Sequence, residues 1–164
     1  MKKTLILLFV TLFFTPIANG QNFFFIGENS YPSTETFTLQ SNSEINDLDV
    51  LFAKDEAKGL IIVSSKLVST VRIRGKLIIY LDNGTVISSD DEVINDNVDY
   101  IASSVYSLTN EDLSKLKNSN INTIRYQIKC AECFTNLLEG NHSASNKGSS
   151  RTDFPAVITE FFSK

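Results

Sequence analysis

The amino-acid sequence predicts an α+β fold: a mostly antiparallel β-sheet of hairpins and meanders, with two or three helices in the C-terminal half. Three observations support this prediction. Apolar and polar residues alternate from Val71 to Leu81, an Asn83-Gly84 turn follows that run, and an apolar stripe at helical spacing lies near the C-terminus. A β-sandwich with peripheral helices is the alternative fold.

The alternation places Arg72, Arg74 and Lys76 on the face opposite the apolar residues. A pattern of this length predicts a long strand with one buried face, in which Gly75 marks a bend or a bulge. If the Asn83-Gly84 turn has a two-residue loop, Tyr80 lies opposite Ile87. The same register then places Lys76 opposite Asp91.

Several shorter segments also read as strands. They are Phe23–Ile26, Phe37–Leu39, Leu48–Ala53, Leu60–Ser64, Tyr100–Leu108 and Ile121–Lys129. The polar segments 28–47 and 139–153 are expected to be loops, except for the short strand Phe37–Leu39 within the first segment.

Two helices are predicted from residues that typically cap the start of a helix. Thr109 is suited to cap a helix that ends near 118–120, with Asp112 completing a capping box and Leu108 packing on Leu113. The second helix begins after Asp153, and its apolar stripe comprises Phe154, Val157, Ile158, Phe161 and Phe162. A third, short helix could follow Cys133 and extend to Leu138.

Residues 1–20 predict a secretory signal peptide. Lys2-Lys3 precedes an apolar run from Leu5 to Phe14, and small residues lead to a cleavage position after Gly20. An uncleaved anchor is the alternative, but the run has about ten residues where a membrane span needs roughly 20. We therefore expect an exported protein, periplasmic or secreted, with one domain over residues 21–164 and no membrane attachment after cleavage.

Composition excludes several classes of function. The chain has 164 residues, 42% of them hydrophobic, which is outside the range of disordered or collagen-like chains. Asp and Glu outnumber Lys and Arg by 19 to 15, so no overall positive charge favours binding to nucleic acid.

The pair Cys130 and Cys133 is the one motif with intrinsic chemistry. An oxidising compartment favours a local disulfide between them. The alternative is a small thiol–disulfide oxidoreductase in which Cys130 is the nucleophile and Cys133 the resolving thiol. A thioredoxin-like fold needs further strands after such a motif, and the residues after Cys133 predict only a helix.

A weaker candidate is a calcium site formed by Asp90, Asp91, Glu92 and Asp96. Their spacing lacks the glycine of an EF-hand loop, and a solvated acidic loop is the alternative. His142 is the only histidine and is expected in a solvated loop, which leaves too few ligands for zinc. We therefore expect no cofactor or metal ion, and no residue is nominated as catalytic.

The segments Lys76–Ile87, Leu108–Leu113 and Ile121–Arg125, behind a Lys-Lys signal peptide, resemble small exported bacterial proteins of uncharacterised function. The resemblance implies export and contributes no catalytic residue. Together these observations predict a secreted or periplasmic binding module that is not an enzyme, with an unknown protein or glycan partner.

Overall fold

The computed structural model describes residues 21–56, 58–67, 71–130, 137–148 and 151–163, without the side chains of Asp91 and Val93. The predicted signal peptide, Cys133 and most of the predicted third helix lie outside these ranges. The strands are β1 Asn22–Ile26, β2 Asn29–Ser33, β3 Phe37–Ser41, β4 Leu48–Asp55, β5 Lys58–Lys66, β6 Val71–Ile73, β7 Leu77–Leu81, β8 Val86–Ser89, β9 Asp91–Val98, β10 Ile101–Leu108, β11 Ile121–Cys130 and β12 Gly140–Ser145. The helices are α1 Asn110–Asn118 and α2 Phe154–Phe162.

The twelve described strands form one antiparallel sheet in the order β8-β7-β11-β12-β3-β4-β5-β10-β9. Strand β6 pairs with β11, and the β1–β2 hairpin joins the sheet where β2 meets β4. Strands occupy more than half of the described residues, so the fold is predominantly β rather than the α+β class that we predicted. The strands make one curled sheet, and not the two layers of a sandwich.

The curl turns one face of the sheet inward around the main hydrophobic core. Side chains from β3 to β8 and from β10 to β12 meet there, joined by residues of both helices. The two edges of the sheet approach each other, and side-chain hydrogen bonds connect them. Asn97 Nδ2 on β9 donates to the Val71 carbonyl oxygen on β6 at 2.6 Å, and Arg72 Nη1 on β6 donates to the Asn95 carbonyl oxygen at 3.4 Å.

Strand β5 is buried on both faces. Ile61 and Val63 face the main core, while Leu60 and Ile62 contribute to a smaller cluster on the outer face. The β1–β2 hairpin packs on this outer cluster through Phe24, Ile26 and Tyr31. Because both of its faces are covered, β5 has a continuous apolar run. A strand with one face in water would instead alternate apolar and polar residues.

The β7–β8 hairpin forms at the predicted turn, but in a different register. Only Gly84 of the turn has a positive φ, +82°, so the loop comprises the three residues 82–84 and not two. Tyr80 consequently lies opposite Val86. Lys76 Nζ is 3.8 Å from Asp90 Oδ1, and the predicted pairing of Lys76 with Asp91 was wrong.

The predicted strand from Val71 to Leu81 is divided into β6 and β7, and the division is at Gly75. This residue has a φ of +93°, which explains why glycine interrupts the strand. Both parts pair with β11 and keep the predicted buried face, so the interruption at Gly75 leaves the burial of that face unchanged.

Strands β2 and β12 occupy segments that we expected to be loops, and β9 occupies the acidic stretch for which a solvated loop was the alternative to a calcium site. Their sequences are rich in Asn, Ser and Asp, which have low strand propensity. Each of them forms by pairing with a neighbouring strand: β1 for β2, β10 for β9, and β11 for β12. The backbone ladder supplies the stability that the side chains do not.

Both helices begin where their caps predict. Thr109 accepts a hydrogen bond from the Asp112 backbone N–H, and Asp112 accepts one from the Thr109 backbone N–H, which completes the capping box. Asp153 caps α2 through the backbone N–H of Ala156. No helix among the described residues has the length and apolar character needed to cross a membrane.

A buried asparagine holds the helical end of the sheet together. Asn146 is 7% exposed, and its side chain binds both backbone polar groups of Thr152, accepting at 3.0 Å and donating at 2.9 Å. It also donates to the carbonyl oxygen of Ile121 at 3.1 Å. Asn120 extends the network, because it donates to the Thr152 carbonyl oxygen and accepts from the Phe154 N–H.

Two hydroxyl groups inside the sheet, those of Tyr126 and Ser104, have no hydrogen-bond partner among the described residues. Burial raises the pKa of Tyr126 well above its ordinary value near 10, and the carboxylate of Asp47 adds to the shift. The folded protein therefore keeps the Tyr126 proton at a pH where the unfolded chain loses it.

Replacing Asn146 with alanine should lower the free energy of unfolding by about 2–3 kcal/mol, because it leaves buried backbone groups of Thr152 and Ile121 without partners. Urea denaturation followed by circular dichroism measures the change. Asn141→Ala is the control, since this exposed asparagine lies on β12, the strand that ends one residue before Asn146, and its effect should stay within about 0.5 kcal/mol. Equal effects of the two substitutions would contradict the assigned role.

The raised pKa of Tyr126 predicts that stability falls as the pH rises above about 10, where the unfolded chain releases a proton that the folded protein retains. Tyr126→Phe should make this decline shallower. It should not reduce stability at neutral pH, because the lost hydroxyl has no partner among the described residues. Melting temperatures from pH 7 to pH 11 test both points, and identical alkaline declines in the two proteins would contradict the first.

Candidate functional site

Cys130 is the last residue of β11 and pairs with Val71 of β6. Its backbone N–H donates to Glu139 Oε1 at 2.6 Å. Cys133 lies outside the described residues, so the disulfide and the redox function both stay predictions.

The acidic residues of the calcium hypothesis lie along the edge strand β9 and just before it. Asp90 is next to Lys76, and the Asp96 carboxylate accepts from the Asn97 backbone N–H at 2.7 Å. Glu92 and Asp96 are four positions apart on a strand, or about 13 Å. Oxygens that bind one calcium ion lie about 2.3–2.6 Å from it, so this geometry does not favour the hypothesis. Within the described ranges, no three His, Cys, Asp or Glu side chains form a cluster that could hold a metal ion.

His142 is not in a solvated loop, and that expectation was wrong. It lies on β12, directly opposite Tyr126, and is half-buried. Its Nε2 is 2.8 Å from the carbonyl oxygen of Leu138, to which it donates, and its ring centroid is 5.9 Å from that of Tyr126. This arrangement fixes the ring against the sheet and gives it a packing role.

The structure brings together a different set of residues, in a groove of about 500 Å³ beside the two helices. One wall is the turn between β4 and β5, the other is α1, and Phe162 of α2 closes one side. We name this depression the helix groove. Its lining residues are Lys54, Glu56, Lys58, Gly59, Asn110, Leu113, Ser114, Lys117 and Phe162.

Contacts between the elements shape this groove. The position of a Cβ on Gly59 would be 2.9 Å from Leu113 Cδ2, so glycine lets α1 pack directly on the start of β5. Lys54 Nζ lies 4.9 Å from the ring centroid of Phe161 and 5.6 Å from that of Phe162. These cation–π contacts join the end of β4 to α2.

The helix groove is positively charged in a chain that carries more acids than bases. Three lysines line it, together with the single carboxylate of Glu56. No carboxylate of the described residues lies within 4.0 Å of the ammonium group of Lys58 or Lys117.

Lys115, which lies on α1 like Lys117, does form ion pairs. It pairs with Glu111 at 2.7 Å and with Asp112 at 3.8 Å, and the hydrogen bond with Glu111 raises its pKa. The charge of Lys115 is thus compensated within α1. The groove lysines Lys58 and Lys117 have no such ion pair among the described residues.

A second depression, also about 500 Å³ in size, lies on the other side of the β4–β5 turn. It is formed with the β1–β2 hairpin and shares Lys54 and Glu56 with the helix groove. The turn is therefore a ridge between two recesses, and its charged side chains face both of them.

Sequence reasoning nominated no residue of the helix groove for binding; it named Leu113 and Phe162 only as apolar residues of the predicted helices. The charged segment 54–58 reads as an ordinary hairpin turn, and Lys117 reads as an ordinary helix-surface residue. The available signal was the interruption of two apolar strands by a charged segment, which does not show that a helix packs alongside.

Comparison with known proteins adds no relative. No protein-family model matches the chain, and no curated protein or solved structure shows significant similarity to it.

Proposed function

We propose that this protein is an exported binding module without chemistry of its own, and that it holds its ligand in the helix groove. The observation that carries the proposal is the groove itself. Its volume of about 500 Å³ is in the range of ligand sites, and its lining combines ammonium groups, polar side chains and an apolar floor.

The construction of the walls supports a preformed site. Helix α1 is fixed at its start by the Thr109–Asp112 capping box, and its side chain Leu113 packs on β5 at Gly59. Helix α2 is anchored by Phe154, which is fully buried and whose ring lies against those of Phe37 and Phe52. A ligand would therefore meet walls that need little ordering on binding, which favours affinity.

Export is part of the proposal and is supported by the pattern of residues 1–20: a basic start, a short apolar run and small residues before the cleavage position. A binding role does not require a catalytic group. The partner that we expected from the sequence, a protein or a glycan, is compatible with a site on the surface.

Site-specific photocrosslinking tests this function. The photoreactive residue p-benzoylphenylalanine is introduced in place of Ser114, which lines the groove, and in a second protein in place of Ser88. Ser88 is a matched control, because it is also an exposed serine but lies on the edge strand β8. Irradiation of cells that export the protein should give an adduct at position 114 that is absent at position 88.

Intact-mass measurement and peptide mapping identify the adduct, and an excess of unmodified protein should suppress it, because a specific site saturates. The absence of an adduct at position 114, or equal adducts at both positions, would contradict a binding function of the helix groove.

A further inference from the structure

We propose that the ligand of the helix groove is an acidic peptide segment, bound in extended form with an apolar side chain between carboxylates. This inference rests on the proposed function, and it names the chemistry that the groove recognises.

Charge is the first argument for an acidic ligand. Lys58 and Lys117 lie on opposite walls, the first on β5 and the second on α1. Because no described carboxylate lies within 4.0 Å of either ammonium group, an anionic ligand would gain attraction from both walls. The single carboxylate of the groove, Glu56, is exposed on the β4–β5 turn and leaves the lining positive.

The dimensions of the groove fit a short extended chain. Asn110, Ser114 and Lys117 line it from the first to the last turn of α1. The seven residue-to-residue steps from Asn110 to Lys117 correspond to a wall of about 10 Å. An extended peptide covers about 3.3 Å per residue, so the wall is matched by three residues.

The uncharged part of the lining favours a peptide over an acidic glycan. Leu113 and Phe162 supply apolar contact between the charged positions. A peptide can place an apolar side chain beside a carboxylate, whereas a sugar acid is polar over most of its surface and would leave that contact unused. The Ser114 hydroxyl and the Asn110 amide can exchange hydrogen bonds with a peptide backbone.

Fluorescence anisotropy with two labelled tripeptides tests the inference. The probe has the sequence Glu-Leu-Glu, the comparison peptide has Gln-Leu-Gln, and both carry an N-terminal fluorescein and a C-terminal amide. The acidic peptide should bind at least about tenfold more tightly, and added salt should weaken its binding because the attraction is electrostatic.

Three lysine variants locate the binding. Lys58→Ala and Lys117→Ala should each weaken the binding of the acidic peptide about three- to fivefold, which is the size of effect expected for the loss of one partly exposed ion pair. Lys147→Ala is the matched control, because this lysine is exposed and contacts Asn42, which is not a groove residue. Circular dichroism confirms that each variant is folded.

Three results would overturn the inference. The neutral peptide could bind as tightly as the acidic one, Lys147→Ala could weaken binding as much as the groove variants do, or trigalacturonate could bind with the same lysine dependence while the peptide does not. The last result would assign an acidic glycan.

Comparison with the crosslinking experiment separates the two proposals. An adduct at position 114 without binding of the acidic peptide would reject the peptide class and keep the binding function. Failure of both experiments would reject both proposals.

Discussion

The side-chain amide of Asn146 is the interaction on which the helical end of the molecule depends. By binding the N–H and the carbonyl oxygen of Thr152 together, it turns the chain from β12 towards α2. The same amide reaches the start of β11 through Ile121. An unsatisfied backbone group at this buried position would cost about 1–3 kcal/mol, so the network leaves few alternatives for the path of the chain.

The candidate site follows from this constraint. Once α2 is placed, Phe154 fills the core beside Phe52, and Phe162 reaches the edge of the helix groove. Helix α1 packs on α2 and on the bare backbone of Gly59, which brings Lys117 towards the β4–β5 turn. Binding residues that are distant in sequence are thus positioned by packing that has no direct role in binding.

The success of sequence reasoning differed between parts of the chain. The capping residues Thr109 and Asp153 and the Asn83-Gly84 turn are local signals, and helices and a turn form where they predict. The predicted hairpin register was wrong by one position, because the loop has three residues and not two. Asn and Gly are compatible with the backbone angles of both loop lengths, so the residue types do not choose between them. The strand β12 was missed since its polar residues form a strand only when β11 and β3 pair with it.

By itself the sequence determined which segments are apolar, where the helices begin, and that the chain carries more acids than bases. These properties depend on neighbouring residues, whose periodicity and capping act over one or two turns. Only the tertiary structure decided that the sheet curls, that polar segments complete it, and that Lys58 and Lys117 line the same groove. Those features depend on contacts between segments that are distant in sequence. The strand edges find hydrogen-bond partners, and residues pack around the buried Asn146, only when the chain has folded.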